Sequence, residues 1–351
     1  MKGYNTSVNY LKALGISLMV LGHTRVNPQV IAFIYMFHMP LFFIASGYCF
    51  KEKYLSAPWK YIYNKVKGIY WPYVKWSLLF LLLHNVFFNL HIYSDQYGWK
   101  KYVSHLYAPS EFLSLATSII FKMQGHEQLL GGYWFMNALF FGLLIVWLVI
   151  RYVKQPLCGG AILIVICTVL NKTCWQIPFI NISSQAFAAG LLIYIGYSLA
   201  KYSIKPFNYW QIALSLSITL IGSFVWNMAM DQNSYSNKRF IPYIITAVLA
   251  SWSFYSLFDK MKSSHGICAK ALDFIGKNTL TILTWHFLAF KLVSLLVIGI
   301  YDLPIDRLAE FPVITEYSRQ GWWIAYFIVA MVVTCEIAYC NKWIKNNWLK
   351  L

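Results

Sequence analysis

Ten apolar runs, separated by polar and often basic connections, fix what this chain can become. They can be read at Val8 to Val26, Val30 to Phe50, Tyr70 to Leu90, Tyr133 to Val153, Leu157 to Leu170, Ala186 to Ala200, Trp210 to Met230, Ile241 to Phe258, Leu280 to Ile300 and Trp322 to Ile344. Most are long enough to cross about 30 Å of hydrocarbon; the fifth and sixth are the shortest. Lipid offers no partner to a free N–H or C=O, so spans of this kind are helices. The expected fold is therefore all-α: a polytopic integral membrane protein of about ten transmembrane helices, forming one domain over residues 1–351. Composition agrees, because 59% of the residues are hydrophobic and only 12% charged, whereas a soluble domain carries about 25% charge.

Charge sets the expected orientation. With an even number of spans both termini share a side, and a cytoplasmic N-terminus gives the inner segments 17 basic residues against 3 acidic. The outer segments, counting Arg25 at the outer end of the first run, then hold 9 basic and 8 acidic residues, as the positive-inside rule requires. The net charge of +17 is thus mostly topology, and its spread over short loops argues against nucleic acid as a partner. No small-x-small cleavage site follows the first apolar run, so it reads as a retained span. The seven cysteines lack zinc spacing and form no CxxC, reading as small packing residues, and no metal site is indicated. The longest outer connection, His91 to Gly132, holds an amphipathic stretch, EFLSLATSIIFKM, expected to lie on the outer surface.

Within the first run, Lys12 and His23 stand eleven residues apart. On a helix they share nearly one face, separated by roughly 16 Å of rise. Ionisable groups at membrane depth normally face a bundle interior or a wet cavity. The second run carries His38, Pro40, Ser46 and Gly47; Pro40 should kink the helix, and Ser46 and Gly47 permit close helix approach. His38 is then either a cavity wall or a packed side chain beside a structural kink. Trp134 and Asn137 lie one turn apart in the fourth run, as cavity lining or as an interfacial anchor. In the ninth run His286 is a cavity group or a satisfied core histidine. Glu336, deep in the tenth, needs a partner, for which Lys12, Lys75 and Lys291 are the candidates.

Lys12 with ten residues before His23, followed by FHMPLFFIASGYCF, resembles the acyltransferase 3 family of bacterial membrane acyltransferases, in particular its fucose 4-O-acetylase-like branch. The likeness continues in YIYNKVKGIYWPYV, GGYWFMNALFF and LDFIGKNTLTILTWHFLAF, and so covers essentially the whole chain. The resemblance implies acyl transfer, usually of acetyl from cytoplasmic acetyl-CoA to a hydroxyl of a cell-envelope glycan, by a multi-pass protein of the bacterial inner membrane. It also implies essential roles for Lys12, where many members have Arg, and for His23. Two arginines of the family's loop after the second span are replaced here by Lys65 and Lys67, which keep the charge but lose the bidentate fork for phosphate.

Chemistry read from the residues fits that implication. A sugar hydroxyl is a poor nucleophile at neutral pH, and a histidine can take its proton as it attacks a thioester. His23 is the candidate base, Lys12 the group that holds the donor or offsets negative charge, and Lys65 and Lys67 the candidates for the phosphates of CoA. A transporter or flippase of a related glycan would use Lys12, His23 and Glu336 as ion or substrate sites instead; the absence of an internal repeat counts against it. A non-catalytic membrane scaffold is the third reading.

Overall fold

The computed structural model of the protein describes residues 5–99, 102–173, 176–177, 181–226, 230 and 240–347. In chain order its longer helices are α1 (Thr6–His23), α2 (Pro28–Tyr35), α3 (Pro40–Tyr48), α4 (Pro58–Lys65), α5 (Trp71–Leu82), α6 (His84–Asn89), α7 (Pro109–Lys122), α8 (Trp134–Tyr152), α9 (Pro156–Thr173), α10 (Ser184–Lys201), α11 (Tyr209–Trp226), α12 (Phe240–Met261), α13 (Ile267–Lys277), α14 (Thr279–Tyr301) and α15 (Trp323–Asn347). Beside them stands one two-residue antiparallel ladder, Gln176–Ile177 with Ile182–Ser183. Cys174, Lys100, Lys101, part of the seventh apolar run and the two termini lie outside the described residues.

Prolines open α2, α3, α4, α7 and α9, where a missing N–H costs nothing and the fixed φ already suits the helix. Pro40 shows the rule at work: the second apolar run breaks between Tyr35 and Pro40 into two short helices, as the expected kink requires. All but the last residue of the stretch EFLSLATSIIFKM is helical within α7, whose start is capped by the Glu111 carboxylate accepting the Ala108 N–H at 3.0 Å.

By length and composition, five segments of the described residues are apolar enough to cross a membrane: Pro28–Tyr48, Gln128–Tyr152, Phe240–Met261, Thr279–Tyr301 and Thr315–Ile344. Pro156–Leu170 and Tyr209–Val225 are shorter apolar helices. The first run forms α1, which carries Asn9, Lys12 and His23 along its 18 residues. Tyr70 to Leu90 is divided at Leu83 between α5 and α6.

The chain divides into two compact units. The first holds Met1–Gly15, Ala32–Tyr73 and Trp134–Asp273. Its centre is the packing of α10 against α3 and α8. A Cβ added to Gly47 of α3 would overlap the Ile193 carbonyl, and one added to Gly196 of α10 would overlap the Ile44 carbonyl. Each glycine thus admits the other helix's main chain, the small-residue contact that lets helices associate in lipid. The basic segment after α3 is tied to this core. Tyr197 donates to Glu52 at 2.6 Å, Lys201 donates to the Tyr197 hydroxyl at 2.9 Å, and the Trp147 indole donates to the Tyr54 carbonyl at 3.0 Å.

The second unit holds Ile16–Ile31, Val74–Tyr133 and Phe274–Leu351. Here α14 packs against α15, and Ser294 meets the Tyr326 hydroxyl at 3.0 Å. Tyr133 meets Thr284 at 2.7 Å. Lys291, buried on α14, donates to the carbonyls of Leu308 at 2.8 Å and Glu310 at 2.7 Å, strapping the 305–310 segment to the helix.

Candidate functional site

His23 is half-buried at the end of α1, and the second unit sets two rings of α14 against it. His286 lies with its ring centroid 5.4 Å away and the planes inclined by 29°; Phe287 lies 4.8 Å away. His286 itself is fully buried. Its Nδ1 is 3.1 Å from the Ile282 carbonyl and 3.0 Å from that of Leu283. A carbonyl only accepts, so these partners assign the proton to Nδ1 and leave a lone pair on Nε2. That Nε2 has no hydrogen-bond partner among the described residues. The result is a neutral imidazole with one nitrogen anchored, whose ring face is offered to His23. A proton arriving on His23 would sit over an aromatic face, which favours a cation, while two rings this close resist double protonation.

The first unit assembles a basic cluster. Lys12 is half-buried on α1, its Nζ 3.5 Å from Asn9 Oδ1, and Asn9 in turn donates to Asp273 through its main-chain oxygen at 2.9 Å and its carboxylate at 3.2 Å. Cys49, just past the end of α3, lies within electrostatic reach of Lys12, Lys51 and Lys65. Lys65 is half-buried, its ammonium 5.0 Å from the Tyr61 ring centroid. The platform is fixed because the Tyr61 hydroxyl donates to the Leu143 carbonyl at 3.0 Å. Burial pushes the Lys65 ammonium below its ordinary pKa, and the neighbouring Cys49 opposes this. Lys67 is exposed, since residues two apart on a helical segment face opposite ways.

A family model described as an acyltransferase domain matches residues 5–340. The chain belongs to the acyltransferase 3 family. No curated protein and no solved structure matches it. As a member of that family with, among the described residues, five segments suited to crossing a bilayer, it is a membrane acyltransferase.

The remaining sequence candidates of this acyltransferase 3 chain are placed as follows. His38 is buried, its Nδ1 3.0 Å from the Ile34 carbonyl and its ring 4.9 Å from Tyr35. Ser46 donates to the Phe42 carbonyl of its own helix at 2.7 Å. Asn137 is buried on α8 and donates to the Asn181 carbonyl at 3.4 Å, while Trp134 is half-buried. Glu336 is exposed on α15. Of its expected partners, Lys291 spends its hydrogen bonds on the Leu308 and Glu310 carbonyls, because two main-chain oxygens lie within its reach on the strap.

Four features escaped the sequence reading. Asn9 and Phe287 look like ordinary helix residues until their neighbours are known. Cys49 is exposed rather than packed, and of the described cysteines only Cys167 is buried. Glu127, just before an LLGG run, pairs in the buried interior with His84, at 3.1 Å. Among the described residues no three His, Cys, Asp or Glu side chains gather as a metal site.

Proposed function

We propose that this membrane acyltransferase moves an acetyl group from cytoplasmic acetyl-CoA to a hydroxyl of a cell-envelope or secreted polysaccharide, or of its lipid-linked precursor, within the bacterial inner membrane. The observation that carries this reading is the His23–His286 ring pair in a chain of this family. In this reading the acceptor hydroxyl gives its proton to His23 as its oxygen attacks the thioester carbonyl carbon. The tetrahedral intermediate collapses, the C–S bond breaks, and the departing CoA thiolate takes back the proton held by His23. His286, with its Nδ1 proton held by α14 carbonyls, stays neutral and steadies the transient charge on His23.

Lys12 holds the donor or offsets negative charge along its path. Lys65 and Lys67 meet the CoA phosphates, the first from its half-buried place above Tyr61 and the second from the exposed side. The ten-span topology with both termini cytoplasmic would put this basic segment on the donor's side. The purified protein in liposomes, given acetyl-labelled acetyl-CoA and a de-O-acetylated envelope glycan, should form labelled ester on the glycan together with free CoA. Release of CoA with no labelled glycan would sink the acceptor assignment, and no consumption of acetyl-CoA would sink the donor.

A further inference from the structure

Trp99 has no part in the chemistry above, yet it is built into the same unit with unusual care. It lies between α6 and α7 with 41% of its surface exposed. Its main-chain N–H donates to Gln128 Oε1 at 3.0 Å, and Gln128 is fully buried. The preceding Gly98 has φ +83°, and a Cβ there would crowd the Gln128 carboxamide, so only glycine suits the turn that presents the indole.

The ring itself is held edge-on against Phe311, with centroids 5.1 Å apart and planes at 64°. Phe311 lies 4.6 Å from Phe287, and Phe287 lies 4.8 Å from His23. Four rings therefore run without interruption from an exposed indole to the candidate base. The inner rung, Phe287, is 1% exposed and is packing. Of the four rings the outer indole is the most exposed.

An immobilised, exposed indole can anchor a protein at the headgroup level of a bilayer, or it can receive a flat ligand on its face. Anchoring needs neither the pinned main chain nor continuity with a histidine. A pyranose ring supplies what the second use requires: one face of C–H groups that packs on an aromatic surface, with its hydroxyls left outward for transfer. We propose that Trp99 is an acceptor platform, on whose exposed indole a pyranose ring of the glycan stacks with its hydroxyls left outward. This rests on the glycan-acetylation reading above.

The liposome assay with de-O-acetylated polysaccharide tests it by separate titration of acceptor and donor. Trp99→Leu keeps an apolar anchor but removes the ring faces, and should raise the acceptor KM about tenfold, in line with the loss of one aromatic stacking contact. The donor KM and the rate at saturating acceptor should stay unchanged. Trp99→Phe should recover most of the acceptor affinity. An unchanged acceptor KM in Trp99→Leu, or an equal rise in both KM values, overturns the platform while leaving the transferase reading intact. Absence of transfer by the unaltered protein overturns both.

Discussion

Two histidines of the second unit are buried to the same degree and treated in opposite ways. His84 at the start of α6 has both nitrogens engaged: Nδ1 lies 3.1 Å from Glu127 Oε1, and Nε2 lies 3.0 Å from the His105 carbonyl. Its ring is stacked on Tyr107 with centroids 3.4 Å apart. The surroundings are tuned to match, since burial and the Glu127 carboxylate push the Tyr93 phenol well above its ordinary pKa. His286 has one nitrogen anchored to its own helix and the other without a hydrogen-bond partner among the described residues. A fully satisfied polar network specifies structure, whereas a buried group left half-satisfied calls for an explanation, of which catalysis is one. The difference separates a histidine that holds the fold from one placed beside chemistry.

The comparison can be broken most directly at His84. His84→Phe leaves the Glu127 carboxylate, 4% exposed, without its donor, and losing one partner of a buried pair costs about 3–5 kcal/mol. Thermal unfolding in detergent should show a large loss of stability, with transfer per folded molecule retained. At His23 the order should reverse: His23→Ala should keep its melting temperature and lose about a hundredfold or more in the rate of transfer, the scale of a general base. Near-normal transfer by that variant would move the chemistry to another residue. His286→Phe keeps a ring among Phe287 and Phe290 and deletes only the lone pair and the anchored N–H. Its stability should not fall, and transfer should drop about tenfold. A variant as active as the parent would make His286 a packing residue like any other.

The smallest expected effect lies in the first unit. Lys65 has its ammonium pKa lowered by burial, so its charge is present below that lowered value and is lost as pH rises through it. If that charge holds CoA phosphate, the donor KM should climb in the alkaline range at a lower pH than an ordinary lysine would give. Lys65→Arg, which stays charged, should abolish this climb. A donor KM that rises with pH equally in both proteins would remove Lys65 from the donor site.

Much of this was legible from local rules. The break near Pro40 followed from its missing N–H, and the helical first run, which carries both Lys12 and His23, from its apolar length. Family membership followed from motifs spread along the chain. What local pattern could not supply was contact across long sequence separations. Nothing near His23 announces His286, and Glu127 gives no sign of pairing with His84 until the loop has folded back. Of the three lysines considered as partners for Glu336, Lys291 is held by the main-chain carbonyls of a strap, which no residue letter encodes. Lys65 and Lys67 were read as equals, although helical geometry alone sends neighbours two apart to different sides.

The reciprocal glycine contact between α3 and α10 has a bearing on how the protein moves. With each main chain seated in the other's missing side chain at Gly47 and Gly196, neither helix can roll or slide without forcing backbone against backbone. Whatever rearrangement accompanies turnover must carry these two helices as one rigid block. A pair of spin labels on α3 and α10 would therefore serve as a fixed ruler, against which displacements elsewhere in that unit could be measured.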